Sequence, residues 1–406
     1  MVVSRVPRVI QEVISRAVIR LTRPQRGQLA MILTALLIGV GAKLKHVPGA
    51  VKPSRHRTSV GRFLNQSDWN ETGLLDGAVQ RLLKSLRLTK RDVIHLVIDD
   101  TRIVKRGRKM DDVSKLWDHT HQQFAHGHTV VTAALHVRGL TLPWRFVVWQ
   151  AKPWAGRAYR KPTEIAADLI RDFTPPKGIP VRVLFDAFYL CPTVTKACES
   201  RGYLWYSVSM KNRRLTRTGR GRSGLLKQLG PGILKHRGQK IRMKRDRGWR
   251  GMRIATVDGQ LKSIGAVRIV FSKRPRDSWR NLLAIATNDI ERGARQIIEI
   301  YERRWSIEVL FKELRGLGLG QYQMLSRNGI HRHLVLVGLA HLTLTRHALA
   351  RLDAPARQQK RIPLPRCQER LDDFRQSVRH DQIQTLTNRI RHAPTRNQLR
   401  QALLAL

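Results

Sequence analysis

Val93-Ile94-His95-Leu96-Val97-Ile98-Asp99-Asp100-Thr101 is an almost unbroken apolar run closed by two acids. Rich in β-branched residues and too short for an ordinary helix, it reads as a strand buried on both faces. Two more strand-like runs follow, Thr129–Val137 and Trp144–Trp149, separated by Arg138-Gly139-Leu140 and a proline, which predicts an antiparallel hairpin. A helix over Thr163–Phe173 comes next, then Val181–Phe185 ending in Asp186, a helix near Thr193–Ser200 and a strand at Tyr203–Ser209. The element order is βββαβαβ, that of an α/β core with a mixed sheet and flanking helices.

Residues 211–280 interrupt that order. They are Gly-rich and strongly basic, with Arg213-Arg214, Arg220–Arg222 and Lys244–Arg250, and carry short alternating runs. A β-rich insertion is expected here. The core resumes with a strand at Leu282–Thr287 and a long helix from Arg292 to Leu314, its end marked by Gly316, Gly318 and Gly320. Upstream, an apolar helix over Leu29–Leu44, a basic loop at Lys52–Arg57 and an amphipathic helix over Gly73–Leu86 form a helical region. Ala354–Pro365, with three prolines, reads as a linker before the last helices. The expected divisions are a helical region (1–90), whose basic loop Lys52–Arg57 offers a phosphate-contacting surface and so suits DNA binding, a first core part (91–210), the insertion (211–280), a last core part (281–325) and a C-terminal helical region (326–406).

Lys and Arg total 77 against 29 Asp and Glu, a formal net charge of +48. Charge of that size repels itself in a compact chain, so a polyanion is the natural partner, and its spread over the whole length places nucleic acid across several regions. A purely structural nucleic-acid packer would not need so enzyme-like a core. The uncharged stretch Gly27–Ala42 falls short of the roughly 20 residues that span a bilayer, so no membrane association is expected. Arg5, Arg8, Glu12 and Arg16 break up any cleavable leader. Cys191, Cys198 and Cys367 lack paired ligand spacing and suit a reducing cytosol, so a cytoplasmic, nucleoid-associated protein is expected.

Three acids stand at punctuation points: Asp100 at the end of the first core strand, Asp186 at the end of the fourth, Glu308 within the last core helix. Carboxylates from separate elements can flank two hard cations about 3.5–4 Å apart, which cleave phosphodiesters without a side-chain nucleophile. Around Glu308, the spacing of Tyr301, Arg304, Glu308 and Arg315 puts all four on one helix face, a carboxylate among phosphate binders.

These residues and their order resemble the DDE transposases of bacterial insertion sequences, in the group with a Tyr-x2-Arg-x3-Glu-x6-Lys signature. Arg315 stands where the group has Lys, exchanging a point charge for a planar fork. The resemblance extends to Ile98–Thr101 and Leu184–Asp186 and covers about residues 50–340. It implies a ribonuclease-H-like core with Asp100, Asp186 and Glu308 as ligands of two Mg²⁺ or Mn²⁺ ions, and often a β-rich insertion between the second Asp and the Glu. It further implies cleavage at element ends, strand transfer into double-stranded target DNA, and a homodimer bridging two ends. Asp99 competes with Asp100 for the first ligand position; the group's Asp-Thr pair selects Asp100. Two other readings are a metal nuclease without strand transfer and a domesticated, non-catalytic DNA-binding protein.

Trp305, beside Arg304, and Trp249, within the basic insertion, are candidates for stacking on an unpaired base, as aromatic residues of the insertion do in similar transposases, with core packing the other reading for Trp305. His119, His121, His126 and His128 are expected to be surface or phosphate-contacting residues, since zinc sites of this kind usually include Cys partners. Asp168, Asp172, Glu302 and Glu313 are expected in ion pairs or on helix surfaces.

Overall fold

The computed structural model describes residues 3, 5–17, 19–39, 46–52, 56–118, 121–219, 221, 223–245 and 248–392. Four helices open the chain: α1 (Arg8–Ser15), α2 (Arg23–Ile38), α3 (Arg57–Asn65) and α4 (Glu71–Ser85). Helix α2 starts earlier than the apolar pattern alone suggests, because Thr22 and Gln25 cap it reciprocally, with bonds of 2.8 and 3.4 Å. It stops where Gly39 turns left-handed at φ 86°. The tail of the expected helix, residues 40–44, lies outside the described residues, as do residues 53–55 of the basic loop.

The strands β1 (Ile94–Lys105), β2 (Ser114–Asp118), β3 (Gln123–Val137) and β4 (Leu140–Val148) come next, then α5 (Lys152–Ala155), α6 (Pro162–Asp172), β5 (Val181–Phe185), α7 (Pro192–Ser200) and β6 (Leu204–Val208). In the sheet, β4, β3 and β1 run antiparallel in that order, while β5 lies parallel to β1 and β6 parallel to β5. This five-stranded mixed arrangement with flanking helices is a ribonuclease-H-like core. The predicted hairpin closes at Arg138 and Gly139, with φ of 48° and 82°, the two left-handed residues a right-twisting two-residue turn requires.

Strand β1 does not end at its acids. It continues to Lys105 because β3 pairs with it without interruption as far as Lys105 opposite His126, so Asp99 and Asp100 lie in mid-strand. Only the parallel partner stops nearby, the last paired residues being Val97 and Leu184. Strand β2 escaped the sequence pattern because its five residues mix charged and apolar types and pair only with one end of β3.

The basic stretch folds as β7 (Arg214–Arg217), β8 (Ser223–Leu225), α8 (Leu226–Arg237), β9 (Gln239–Arg245), β10 (Gly248–Leu261) and β11 (Gly265–Lys273). Its strands do not form a sheet of their own: β11 pairs with β12 (Leu283–Thr287), which pairs with β6, so the twelve strands among the described residues make one sheet. The unexpected element is α8, which tolerates Pro231 and buries Leu226, Ile233 and Leu234.

The expected long helix is broken. Helix α9 (Ala294–Tyr301) gives way to a tight 3-10 turn over Glu302–Trp305 before α10 (Ser306–Gly316). Then come α11 (Arg327–Arg351), the short α12 (Ala354–Gln358) within the predicted linker, and α13 (Cys367–Arg391). Helix α11 is buried over most of its surface and packs against α1, α2, α3, α4, α13 and β4, so the terminal helices and the sheet share one hydrophobic core.

Opposite Val104 in the β1–β3 pair, only glycine fits. A Cβ on Gly127 would lie 2.2 Å from the Ile103 carbonyl oxygen and 2.9 Å from a Leu116 methyl. Gly127→Ala must push two paired backbones apart, and is expected to lower unfolding stability by about 2 kcal/mol in a urea titration.

Candidate active site

The sheet register assembles the acids. With Val97 opposite Leu184, two further residues along each parallel strand bring Asp99 beside Asp186. Asp186 is fixed by a turn closed on its own side chain: Oδ1 accepts the backbone N–H groups of Phe188 and Tyr189 at 3.0 and 3.3 Å. Its carbonyl accepts the Ser207 hydroxyl at 2.9 Å.

Alternation along β1 sends its two acids different ways. Arg304 donates to Asp99 Oδ2 at 3.0 Å and to Glu308 Oε1 at 2.5 Å. Thr101, on the same face as Asp99, accepts from Arg315 at 2.7 Å. Asp100 instead accepts the Tyr189 hydroxyl at 3.2 Å. Helix α10 therefore spans the Asp99–Thr101 face of β1, with Glu308 tied to Asp99 through one guanidinium.

Burial pushes the Asp99 carboxyl up to about 7, with the charges of Asp186 and Asp100 adding to the rise and Arg304 opposing it. Asp100 is also raised, by burial and by Asp186, against the Tyr189 hydroxyl that favours its charged form. Both aspartates thus feel Asp186, although their side chains leave β1 on opposite faces. Three mutually repelling carboxylates, with a fourth joined to them by Arg304, are a donor set of hard oxygens suited to divalent cations.

Tyr301, Arg304, Glu308 and Arg315 share one side despite the 3-10 break, since the tight turn shifts the phase by only a fraction of a turn. The Arg304 guanidinium lies 6.0 Å from the Tyr301 ring, and burial raises the Tyr301 hydroxyl to about 12. Trp305 does not join the core; it is 60% exposed. Trp249 lies in β10 opposite Lys244, and its side chain is outside the described residues. Tyr189 and the Asp99–Arg304 link were not anticipated. The usable signal for Tyr189 was its place three residues after Asp186, but a partner 89 residues away in sequence is visible only in three dimensions.

The other candidates have structural roles. His128 is buried, bonded to the Tyr322 hydroxyl at 2.7 Å and the Asp111 carbonyl at 2.8 Å, so it is not the surface residue expected. His121 pairs with Asp118 at 2.8 Å, His126 lies within β3, and His119 is outside the described residues. Asp168 takes Arg160 and Arg171. Glu313 accepts from His341 at 2.7 Å and Arg370 at 3.2 Å; Cys367 lies close by, but the resident guanidinium already supplies the cation there.

A ribonuclease-H-like sheet that gathers carboxylates at mid-strand, beneath an arginine-bearing helix, belongs to the broad class of enzymes that process polynucleotides. Residues 20–225, half of the chain, match the family described as DDE superfamily endonuclease, and the chain belongs to that family. Residues 267–350 are similar to the family described as archaeal putative transposase ISC1217. No curated protein matches the chain. The two families agree with the resemblance drawn from the residues: a transposase-like nuclease, with DNA as substrate, in a superfamily that generally uses divalent metals. Among the described residues, no helix is long and apolar enough to cross a membrane.

Proposed function

We propose that the protein is a cut-and-paste transposase, which cleaves DNA at the ends of its element and joins the freed 3′-hydroxyl to target DNA. The observation that carries this reading is the convergence of acids from β1, the β5 turn and α10, in a chain of net charge +48. On the family resemblance Asp100, Asp186 and Glu308 would hold the metal; Asp100 accepts the Tyr189 hydroxyl, while Asp99, on the face that Glu308 covers, is engaged by the Arg304 guanidinium. Two Mg²⁺ or Mn²⁺ ions bound there would activate the attacking water or hydroxyl and stabilise the leaving oxygen.

The remaining roles fall to the chain itself. Arg304 holds Glu308 toward β1, Arg315 and Tyr301 grip the phosphate beside the acids, and exposed Trp305 offers a face on which an unpaired base can stack, a role also assigned to Trp249. A homodimer would bring two element ends together. The shared Arg304 bridge favours one variant of this reading, in which Asp99 is the first ligand.

The test is Mg²⁺-dependent cleavage and joining of DNA carrying the element's own ends. Glu308→Gln and Asp186→Asn are expected to lose cleavage while keeping DNA affinity, because neither removes a positive charge. Asp100→Asn should match them, with Asp99→Asn the milder; the reverse order would make Asp99 the ligand. Undiminished cleavage by Glu308→Gln would sink the metal site, and cleavage without joining would reduce the protein to a nuclease.

A further inference from the structure

A cavity of about 1650 Å³ begins at Arg304 and runs away from the carboxylates. Its floor is His95, His136 and Arg182, at the ends of β1, β3 and β5 remote from the acids. Arg303 stands on one side, and Arg361, from the segment joining α12 to α13, also lines it. Nine Lys and Arg side chains line this trough against three carboxylates. Of those three, Asp92 is held by Arg138 at 2.7 Å and Glu299 by Arg295 at 2.9 Å.

The floor adds no negative charge. His95 lies only 2% exposed, with Nε2 accepting from Arg303 at 2.9 Å and Nδ1 facing the His136 carbonyl at 3.4 Å. Burial, helped by the surrounding arginines, keeps both imidazoles neutral, His136 being pushed down to about 4. Burial also lowers Arg182 and Arg303, with Arg292 adding to the effect at Arg182 and Glu299 opposing it at Arg303. Cations gathered in a concave surface with too few carboxylates to balance them repel one another until an anion enters. The cavity exceeds the roughly 300–1,000 Å³ of small-molecule pockets, and its charge suits an extended polyanion.

Arg304 belongs both to this cavity and to the acid cluster, so the two are continuous. We propose that the trough binds the sugar–phosphate backbone of the DNA strand leading away from the acids, on Arg182, Arg303 and Arg361, as a binding surface that extends beyond the catalytic one. The choice of DNA rests on the function proposed above.

Binding of a fluorescent single-stranded oligodeoxynucleotide to the full chain, in EDTA and over a range of salt, tests the trough without the metal site. Arg361→Glu, on the exposed wall, and Arg182→Gln, on the floor, should each weaken binding about tenfold and flatten the salt dependence by about 0.7 for every phosphate no longer neutralised. Arg237→Glu, a charge reversal at the end of α8 outside the trough, should leave binding unchanged. Should Arg182→Gln fail to fold, Arg361→Glu decides alone.

Wild-type affinity and salt slope in the trough variants would overturn the proposal, as would an equal loss in Arg237→Glu, which would reduce it to overall charge. Displacement of the oligonucleotide by inorganic pyrophosphate at matched phosphate concentration would make the trough a small-anion site instead. The nuclease reading fails separately, through cleavage by Glu308→Gln, and that result leaves this measurement untouched.

Discussion

Arg304→Ala is expected to cut DNA cleavage by roughly 10–100-fold and to raise the Mg²⁺ concentration needed for half-maximal activity. One guanidinium holds Asp99 at 3.0 Å and Glu308 at 2.5 Å, so its removal frees the α10 carboxylate from its orientation toward β1. Loss of an outer partner that orients a metal ligand costs about that factor. The pH profile supplies a readout that mere loosening of the fold would not move. Asp99 already sits near 7 because burial outweighs the opposing Arg304, so removing the guanidinium lifts it further and moves the acidic limb of the rate profile to higher pH. Arg304→Lys should recover charge but only part of the rate, since a single ammonium lacks the fork that reaches two carboxylates. An alanine variant with wild-type rate, metal midpoint and pH profile would remove Arg304 from the site.

Acidification is expected to unfold the metal-free protein well before its carboxylates are all protonated. Burial pushes His136 and His333 down to about 4, and holds His95 well below the usual imidazole value. Such groups stabilise the fold fully above about pH 6.5, and that contribution is lost as pH falls toward 4, because the unfolded chain takes up protons the folded one refuses. His333, 5% exposed and donating to the Gly318 carbonyl at 2.9 Å, accounts for about 3 kcal/mol over that window. Asp99 works in the opposite sense: its raised value stabilises the fold at low pH, a contribution lost as pH rises from about 4 through 7. Three imidazoles outweigh it, so urea midpoints should fall between pH 7 and pH 4.5. His333→Gln should make the fall shallower by about one proton, and an unchanged slope would show that this imidazole is already charged in the fold.

Local sequence was enough to place most of the core elements. Apolar runs of strand length placed β1, β5 and β12, and Arg138-Gly139-Leu140 between two strand-like runs placed the hairpin turn, because burial and backbone sterics act over a few residues. Spacing alone likewise put Arg304, Glu308 and Arg315 on one side, since neighbours along a helix are close whatever surrounds them. Whatever depends on distant partners came from the three-dimensional fold. Pairing with β3 carried β1 past its acids to Lys105, and pairing of β11 with β12 drew the basic insertion into the same sheet. The 3-10 turn at Glu302–Trp305 left Trp305 exposed. Asp99 and Asp100, adjacent in the chain, are distinguished only by what faces them across space, Arg304 on one side and the Tyr189 hydroxyl on the other. Alternation along a strand fixes that they diverge, but a strand carries no information about which face the rest of the chain will cover.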